Sequence, residues 1–480
     1  MTPRSRVLGG ALVLGLAAPT LARFSLAPAA ALLVAAAVLQ PRLALACVLL
    51  VAGWWWGSAR VQALDRSVLA GSVDTAGHAV VKVVEPPRRG RWDVRVRAVV
   101  LRWRGARLHE AVQLRLPGRR APPQGARLGV LGTVRPPRDD ERTRLRRQGV
   151  HVVLRVSSWR VLRLRGGVAD RLHAWLARAS TPGLGGERRA VLEGVVLGED
   201  GDLSDTLRQR FRASGLYHLL AVSGGNVLVV ATGAVTLVLL LGLSRVVAEV
   251  AGLLAVGAYV LAVGPQPSVI RAGIGGALMS LAWLSGRARD RWHALLVAAV
   301  ALLAWSPWNL LDPAFQLSFA AVASIFLLAP RLARGLEGYP LPGWLRDVVA
   351  ISTACSVATA PVSWLHFGAI PLLAVPANAA VAPIVPPMLA LALLAAVVPP
   401  AGPLLAQLSG LCAAYLAGCA RFFGGLPAAQ ASSPAAAAAL ASGVLLAAAY
   451  AWRRGERLEA GLPPARKRPA EDRPRRAEAA

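Results

Sequence analysis

The sequence predicts a polytopic α-helical membrane protein of about twelve transmembrane helices, with a small extracytoplasmic β-barrel domain inserted near its start. Three observations predict this. Of the 480 residues, 55% are hydrophobic and 16% charged, with a mean hydropathy of +0.50; soluble domains carry more charge and less apolar content. The net charge is nevertheless +29, so the basic residues must lie outside the spans. They do fall in blocks. Residues 1–60 are apolar, 61–175 polar and basic, 176–213 an amphipathic linker, 214–452 apolar with short interruptions, and 453–480 a basic cytoplasmic tail without expected structure.

The first block opens with MTPRSR and then VLGGALVLGLAAPTLA, a pattern close to a signal peptide ending at Thr20-Leu21-Ala22. Two further apolar runs, 24–39 and 43–57, follow at once. Three short spans are the preferred reading.

The second block reads as β-structure. Trp92, Val94, Val96 and Ala98 alternate with Asp93, Arg95 and Arg97; Val112, Leu114 and Leu116 alternate with Gln113 and Arg115; Val150, Val152, Leu154 and Val156 repeat the period. Pro-Pro and Pro-Gly turns separate these runs. With 78–84 and 127–134 added, about five strands in roughly 100 residues fit a small OB-like barrel. Between Arg60 and Arg171 stand 26 Arg or Lys against 9 Asp or Glu.

The third block yields nine apolar segments, most near the roughly 20 residues a membrane-spanning helix needs. Pro361, Pro371, Pro376, Pro383, Pro386 and Pro387 interrupt several of them. Such breaks are tolerated in a bilayer where protein or water satisfies the freed backbone. The loop arginines orient the set. With the N-terminus in the cytoplasm, Arg287, Arg289 and Arg291, then Arg331, Arg334 and Arg346, and the tail from Arg453 all fall inside. The loops GPQPS, WSPWNLLDP, HFGAIP and GGLPAAQASSP contain no Lys or Arg and fall outside. The expected location is the inner (plasma) membrane, both termini cytoplasmic.

Metal and cofactor chemistry find little support. Cys47, Cys355, Cys412 and Cys419 sit in apolar runs, and there is no CxxC, HxH or HExxH spacing. No GxxxxGK[ST] phosphate loop is present to drive transport. His218 and Ser223 lack the GxSxG elbow and placed carboxylate of a hydrolase, so no catalytic residue is assigned.

Four motifs carry the functional reading: SGLYHLLAVSGGNV (214–227), PSVIRAGIGG (267–276), LLDPAFQLSFAAVA (310–323) and PVSWLHFGAIPLLAVPANAAVAPIVPPM (361–388). In this order and spacing they resemble the membrane domain of the ComEC competence family, the channel that admits DNA during bacterial transformation. The resemblance extends to the OB-like domain and the leading spans. It implies single-stranded DNA as the passing molecule, and a DNA receptor, a separate nuclease and a cytosolic ATP-driven motor as partners; a homo-oligomer stays open. Two departures matter. The family commonly reads Leu-His where Gly225-Asn226 stands here. Many members also continue into a metallo-β-lactamase-like domain, and no His/Asp cluster of that kind occurs in this sequence, so the resemblance is to the form without it.

The residues can be read without the family too. An ionised Arg deep in a bilayer costs about 2.5–3.5 kcal/mol on insertion scales, so Arg271 needs a partner, a cavity or a substrate, or must snorkel to the headgroups. Gly273, Gly275 and Gly276 after it permit close approach. Asp312 before Pro313 suits a helix cap. Gln316, Ser318 and Asn378 either bond between helices or line a wet path. His218, Ser223, Asn226, Arg271, Asp312, Gln316 and Asn378 are therefore the candidates for the path. Arg95, Arg97 and Arg115 are the candidates for contacting DNA on the β-domain, the bland alternative being a solvated face. Trp92, Trp103 or Trp159 would stack bases or fill the barrel. Two other functions compete: a transporter of another anionic or lipid-linked solute, and a non-transporting anchor for the β-domain.

Overall fold

The computed structural model describes residues 3–21, 44–85, 87–89, 93–118, 121–164, 167–264, 266–284, 290–427, 429–435 and 442. The expected span 24–39, the last apolar segment, the basic tail, Trp92, Arg287 and Arg289 lie outside them. The chain divides into two units, residues 1–319 with 371–430, and residues 320–370 with 431–480.

The first unit begins with helix α1 (Pro3–Leu21) packed on α2 (Ala44–Asp65). Their approach needs glycine: a Cβ on Gly53 would stand 2.9 Å from the Leu12 carbonyl oxygen, and one on Gly57 2.8 Å from that of Leu16. Small residues four apart let two backbones meet where no hydrophobic effect drives helices together.

The mixed sheet follows, with β1 (Ala76–Val83), β2 (Arg88–Arg89), β3 (Asp93–Trp103), β4 (Ala106–Pro117), β5 (Arg127–Arg135) and β6 (Val153–Arg163). Its long strands pair in a closed circuit, β1 with β5, β5 with β6, β6 with β4, β4 with β3, and β3 with β1. Only the β4–β6 pairing in that circuit is parallel. Alternation sets the inside: Val94, Val96, Ala98, Val112, Leu114, Leu116, Val152, Leu154 and Val156 are buried in one core. Each such side chain contributes about 1.5–3 kcal/mol. Trp103 is buried in that core and Trp159 packs half-buried against it, so neither presents a free face for stacking. A two-residue turn, Arg104-Gly105, joins β3 to β4 with φ of 48° and 90°, the left-handed geometry of a tight hairpin. Helix α3 (Asp139–Arg147) lies between β5 and β6 in sequence.

Three short helices come next: α4 (Val168–Ala179), α5 (Gly186–Leu197) and α6 (Asp205–Ala213). Every residue of α5 from Ala190 to Leu197 is buried, so this part of the linker segment belongs to the core. The membrane-type helices of this unit are α7 (Gly224–Leu240), α8 (Arg245–Val263), α9 (Pro267–Leu284), α10 (Arg291–Trp305) and the start of α11 (Pro313–Leu327).

The second unit holds the rest of α11, which bends by 47° into α12 (Ala329–Gly335), and α13 (Gly343–Phe367) with Pro361 inside it. Ala329, Leu332, Ala350 and Ala354 form its core. The first unit resumes with α14 (Ala374–Val381), bent by 47° from α15 (Val385–Val397), and ends in α16 (Gly402–Gly425). Among the described residues four helices are long and apolar enough to cross a membrane, or six if each bent pair is one span. Four further apolar helices are shorter than that test requires.

Candidate functional site

Helix ends of the first unit gather. The Trp56 indole and the Arg60 guanidinium donate from the end of α2 to the carbonyls of Ala304 and Trp305 at the end of α10, at 3.0 and 2.7 Å. Ser268 Oγ at the start of α9 donates to the Val222 carbonyl before α7, at 2.8 Å. Arg210 of α6 reaches the Gly424 carbonyl at the end of α16, at 2.8 Å. The His173 imidazole of α4 meets the Ala262 carbonyl at the end of α8, at 2.8 Å. The β-domain joins the same end, through Lys82 to Asp170 of α4 at 3.0 Å and Arg146 to Asp65 of α2 at 2.6 Å.

Arg271 lies half-buried one turn into α9. Its Nε donates to Ser318 Oγ of α11 at 2.7 Å. A Cβ on Gly224, the first residue of α7, would lie 3.5 Å from its Nη2. No carboxylate pairs with it among the described residues. A half-buried guanidinium with only a neutral hydroxyl partner keeps its charge available to an anion. Beside it on α9, a Cβ on Gly275 or Gly276 would meet nothing within 4 Å.

Ser223 and Asn226 are joined to one another rather than aimed at open space. Ser223 Oγ donates to Asn226 Oδ1 at 2.9 Å, and Asn226 Nδ2 donates to the Val195 carbonyl at 2.6 Å. Tyr259 of α8 donates to the neighbouring Val196 carbonyl at 2.6 Å. These are two of the four carbonyls that a helix leaves unpaired at its C-terminus. Asn226 and Tyr259 therefore cap buried α5, and lone polar side chains in apolar helices gave little sign of it. His218 is exposed, its Nδ1 2.8 Å from the Gly215 carbonyl in the tight turn before α7. Its neighbour Tyr217 donates to Asp200 at 2.8 Å; burial and that carboxylate push the phenol above its usual range.

Asp312 caps α11 by accepting from the Ala314 amide at 2.7 Å. Gln316, two residues before Ser318, donates to the Leu310 carbonyl at 2.8 Å. Asn378 lies half-buried in α14 just before its bend, and among the described residues no hydrogen bond reaches its side chain. The structure thus brings Ser223, Asn226, Arg271, Asp312 and Gln316 to adjoining helix starts; Asn378 lies on α14, whose Ala374 stands against Gly215 and whose Ala377 shares a core with Leu216 and Val222.

On the barrel, Arg95 and Arg115 stand opposite each other on β3 and β4 and share Glu141 of α3, each at 2.7 Å. Arg97 pairs with Glu85 at 2.7 Å and donates to the Gln148 carbonyl at 2.6 Å. All three brace the barrel's own parts.

Fold and site together define a multi-pass membrane protein that carries a basic mixed-sheet domain. A family model described as Competence protein matches residues 195–456, more than half of the chain, and the chain belongs to that family. It is 26% identical over 230 residues to ComE operon protein 3 of Bacillus subtilis (strain 168), an alignment covering 47% of this chain and 27% of that protein. It is 27% identical over 211 residues to the uncharacterized protein YcaI of Escherichia coli (strain K12), covering 41% of this chain and 27% of that one. The matched stretches thus span about a quarter of each relative. No solved structure matches the chain.

Proposed function

We propose that this protein is an inner-membrane channel that admits single-stranded DNA during natural transformation. One observation carries the reading: among the described residues Arg271 holds a positive charge with no carboxylate partner where the starts of α7, α9 and α11 converge. A passing strand needs contact without capture, and a single guanidinium among neutral hydroxyls and amides supplies it. Family membership over residues 195–456 supports the same reading, since that stretch contains the whole cluster. In this proposal Arg271, Gln316, His218 and Asn378 face the path. Ser223, Asn226 and Asp312 shape it by fixing helix ends.

The β-domain is an OB-like barrel on the outer side, an assignment supported by the closed strand circuit and its parallel β4–β6 pair. The reading keeps twelve spans with both termini in the cytoplasm; the Lys- and Arg-free segment 306–312 follows Trp305, which Arg60 holds near the start of the β-domain, and this supports an outer position for both. The driving force and strand cleavage fall to partners, a DNA receptor, a nuclease and a cytosolic ATP-driven motor; Arg95, Arg97 and Arg115 add to the outer positive field.

Uptake of labelled DNA into a nuclease-resistant state tests the path. A charge-assisted hydrogen bond is worth about 1.5–3 kcal/mol, so Arg271→Ala should lower uptake about tenfold to a hundredfold at equal protein level. Arg271→Lys should retain part of it. Normal uptake in Arg271→Ala overturns the proposal, and loss of a small anionic solute's flux instead would make the chain a solute transporter.

A further inference from the structure

Four arginines on the barrel surface stand apart from those paired with carboxylates. A groove of about 770 Å³ runs across its surface, and four of its nine lining residues are Arg102, Arg107, Arg127 and Arg163. None of the nine is acidic. None of the four arginines forms an ion pair among the described residues, whereas Arg95, Arg97, Arg115, Arg135 and Arg146 each do.

Register places the four in two facing pairs, Arg102 opposite Arg107 and Arg127 opposite Arg163. Like charges directly opposite in a sheet cost stability. The pairs are separated by β1, whose Val80 stands opposite Arg102 on one side and Gly129 on the other. With neighbouring strands about 4.8 Å apart, that is about 10 Å of sheet between the pairs.

Three register shifts border the groove, between Val80 and Val81, between Val100 and Arg102, and between Arg127 and Leu128. Irregularities of this kind re-aim side chains and concentrate beside binding sites. The Arg127 Nε is shielded from solvent and, among the described residues, has no hydrogen-bond partner. Leu101, Leu108 and Leu162 line the groove between the charges, and Leu162 is 48% exposed. Guanidiniums flanking an apolar strip match a polymer with phosphates on one edge and flat bases on the other.

We propose that this groove holds single-stranded DNA outside the membrane, with Arg102, Arg107, Arg127 and Arg163 on its phosphates and the leucine strip under its bases. The proposal rests on the reading of the chain as a DNA channel and adds where the strand is first held.

Binding of a fluorescent oligothymidylate to the full chain in nanodiscs of neutral lipid tests it, read by anisotropy across a salt series. Each phosphate contact to a single strand contributes about 0.7 to the slope of log affinity against log salt. Arg102→Ala with Arg107→Ala should therefore flatten the slope by about 1.4, and weaken binding about tenfold near 0.15 M salt. Arg127→Ala with Arg163→Ala should do the same. The charge-matched pair Arg155→Ala with Arg178→Ala, both exposed and outside the groove, should match wild type. Replacing either groove pair by Lys should keep the slope, which separates lost contacts from a damaged barrel. Wild-type slope in both Ala pairs overturns the proposal, as does an equal loss in the control pair. Arg271→Ala keeps the two readings apart: it should fail to pass the oligonucleotide, while each groove pair combined with it should still flatten the salt slope by the same amount. Normal passage in Arg271→Ala alongside weak binding in the groove variants sinks the path and keeps the groove; the converse keeps the path and sinks the groove.

Discussion

His173 shows what a single side chain can contribute at the junction of the helix ends. Its Nδ1 lies 2.8 Å from the Ala262 carbonyl and its Nε2 3.0 Å from Glu199 Oε1. Both neighbours only accept, so both nitrogens must donate, which requires the imidazolium. Burial lowers its pKa, but the hydrogen bond and charge of Glu199, helped by Asp170, outweigh this and raise it overall. A raised folded value stabilises the protein below the ordinary histidine value of about 6.5, and that gain is lost as pH climbs through the raised value. Thermal unfolding of the full chain should therefore show a wild-type advantage over His173→Gln that is largest below the ordinary histidine value of about 6.5 and shrinks as pH rises above it. An advantage constant across that rise would remove the imidazolium from the account. Asn226 makes the companion case. Asn226→Leu strips the Val195 carbonyl of its donor inside the core, and one such orphan costs about 1–3 kcal/mol. The unfolding temperature should fall accordingly, while Asn226→His keeps a donor in place and should lose less. Sequence marked Asn226 as polar and out of place but not as a cap, because its partner Val195 lies 31 positions away and contributes only its backbone.

Elements differ in how much of themselves they print in the sequence. The strands were legible: Val94, Val96 and Ala98 alternate because one sheet face is buried and the other wet, and that period needs no knowledge of partners. The cap at Asp312-Pro313 was legible for the same local reason. Helix α5 was not, since GERRAVLEGVVL is buried nearly all round once past its first turn and offers no clear polar face. The ion pairs of Arg95, Arg97 and Arg115 were hidden for a further reason: Glu141 and Glu85 become their partners only after the barrel closes. The α1–α2 contact sits between these extremes. Gly53 and Gly57 are visible as small residues four apart, but only the structure shows Leu12 and Leu16 carbonyls against them. Gly57→Val should force the two helices apart and lower the yield of folded protein in detergent. Gly10→Val should be tolerated, because a Cβ there meets nothing within 4 Å.

For the whole molecule the decisive question is which side of the bilayer the gathered helix ends occupy. Two features point the same way. The loops at 264–266 and 306–312 carry no Lys or Arg, while the loop at 285–290 carries Arg287 and Arg289. A large basic domain escapes the positive-inside rule that governs short loops, so its charge does not oppose an outer location. The side chains that tie α2 to α10 and α4 to α8 also hold helix ends adjoining these uncharged loops near the barrel, which Lys82 and Arg146 join to α4 and α2. Enzymatic reporters inserted at 306–312 and in the β3–β4 turn at Arg104-Gly105 should thus be active only outside the cytoplasm, and one at 285–290 only inside. The two outer reporters must agree whatever the count of spans, because Arg60 and Trp305 join their elements directly. A cytoplasmic signal from Arg104-Gly105 would leave four unpaired groove arginines facing nucleotides and RNA rather than incoming DNA, and the channel reading would lose its entrance.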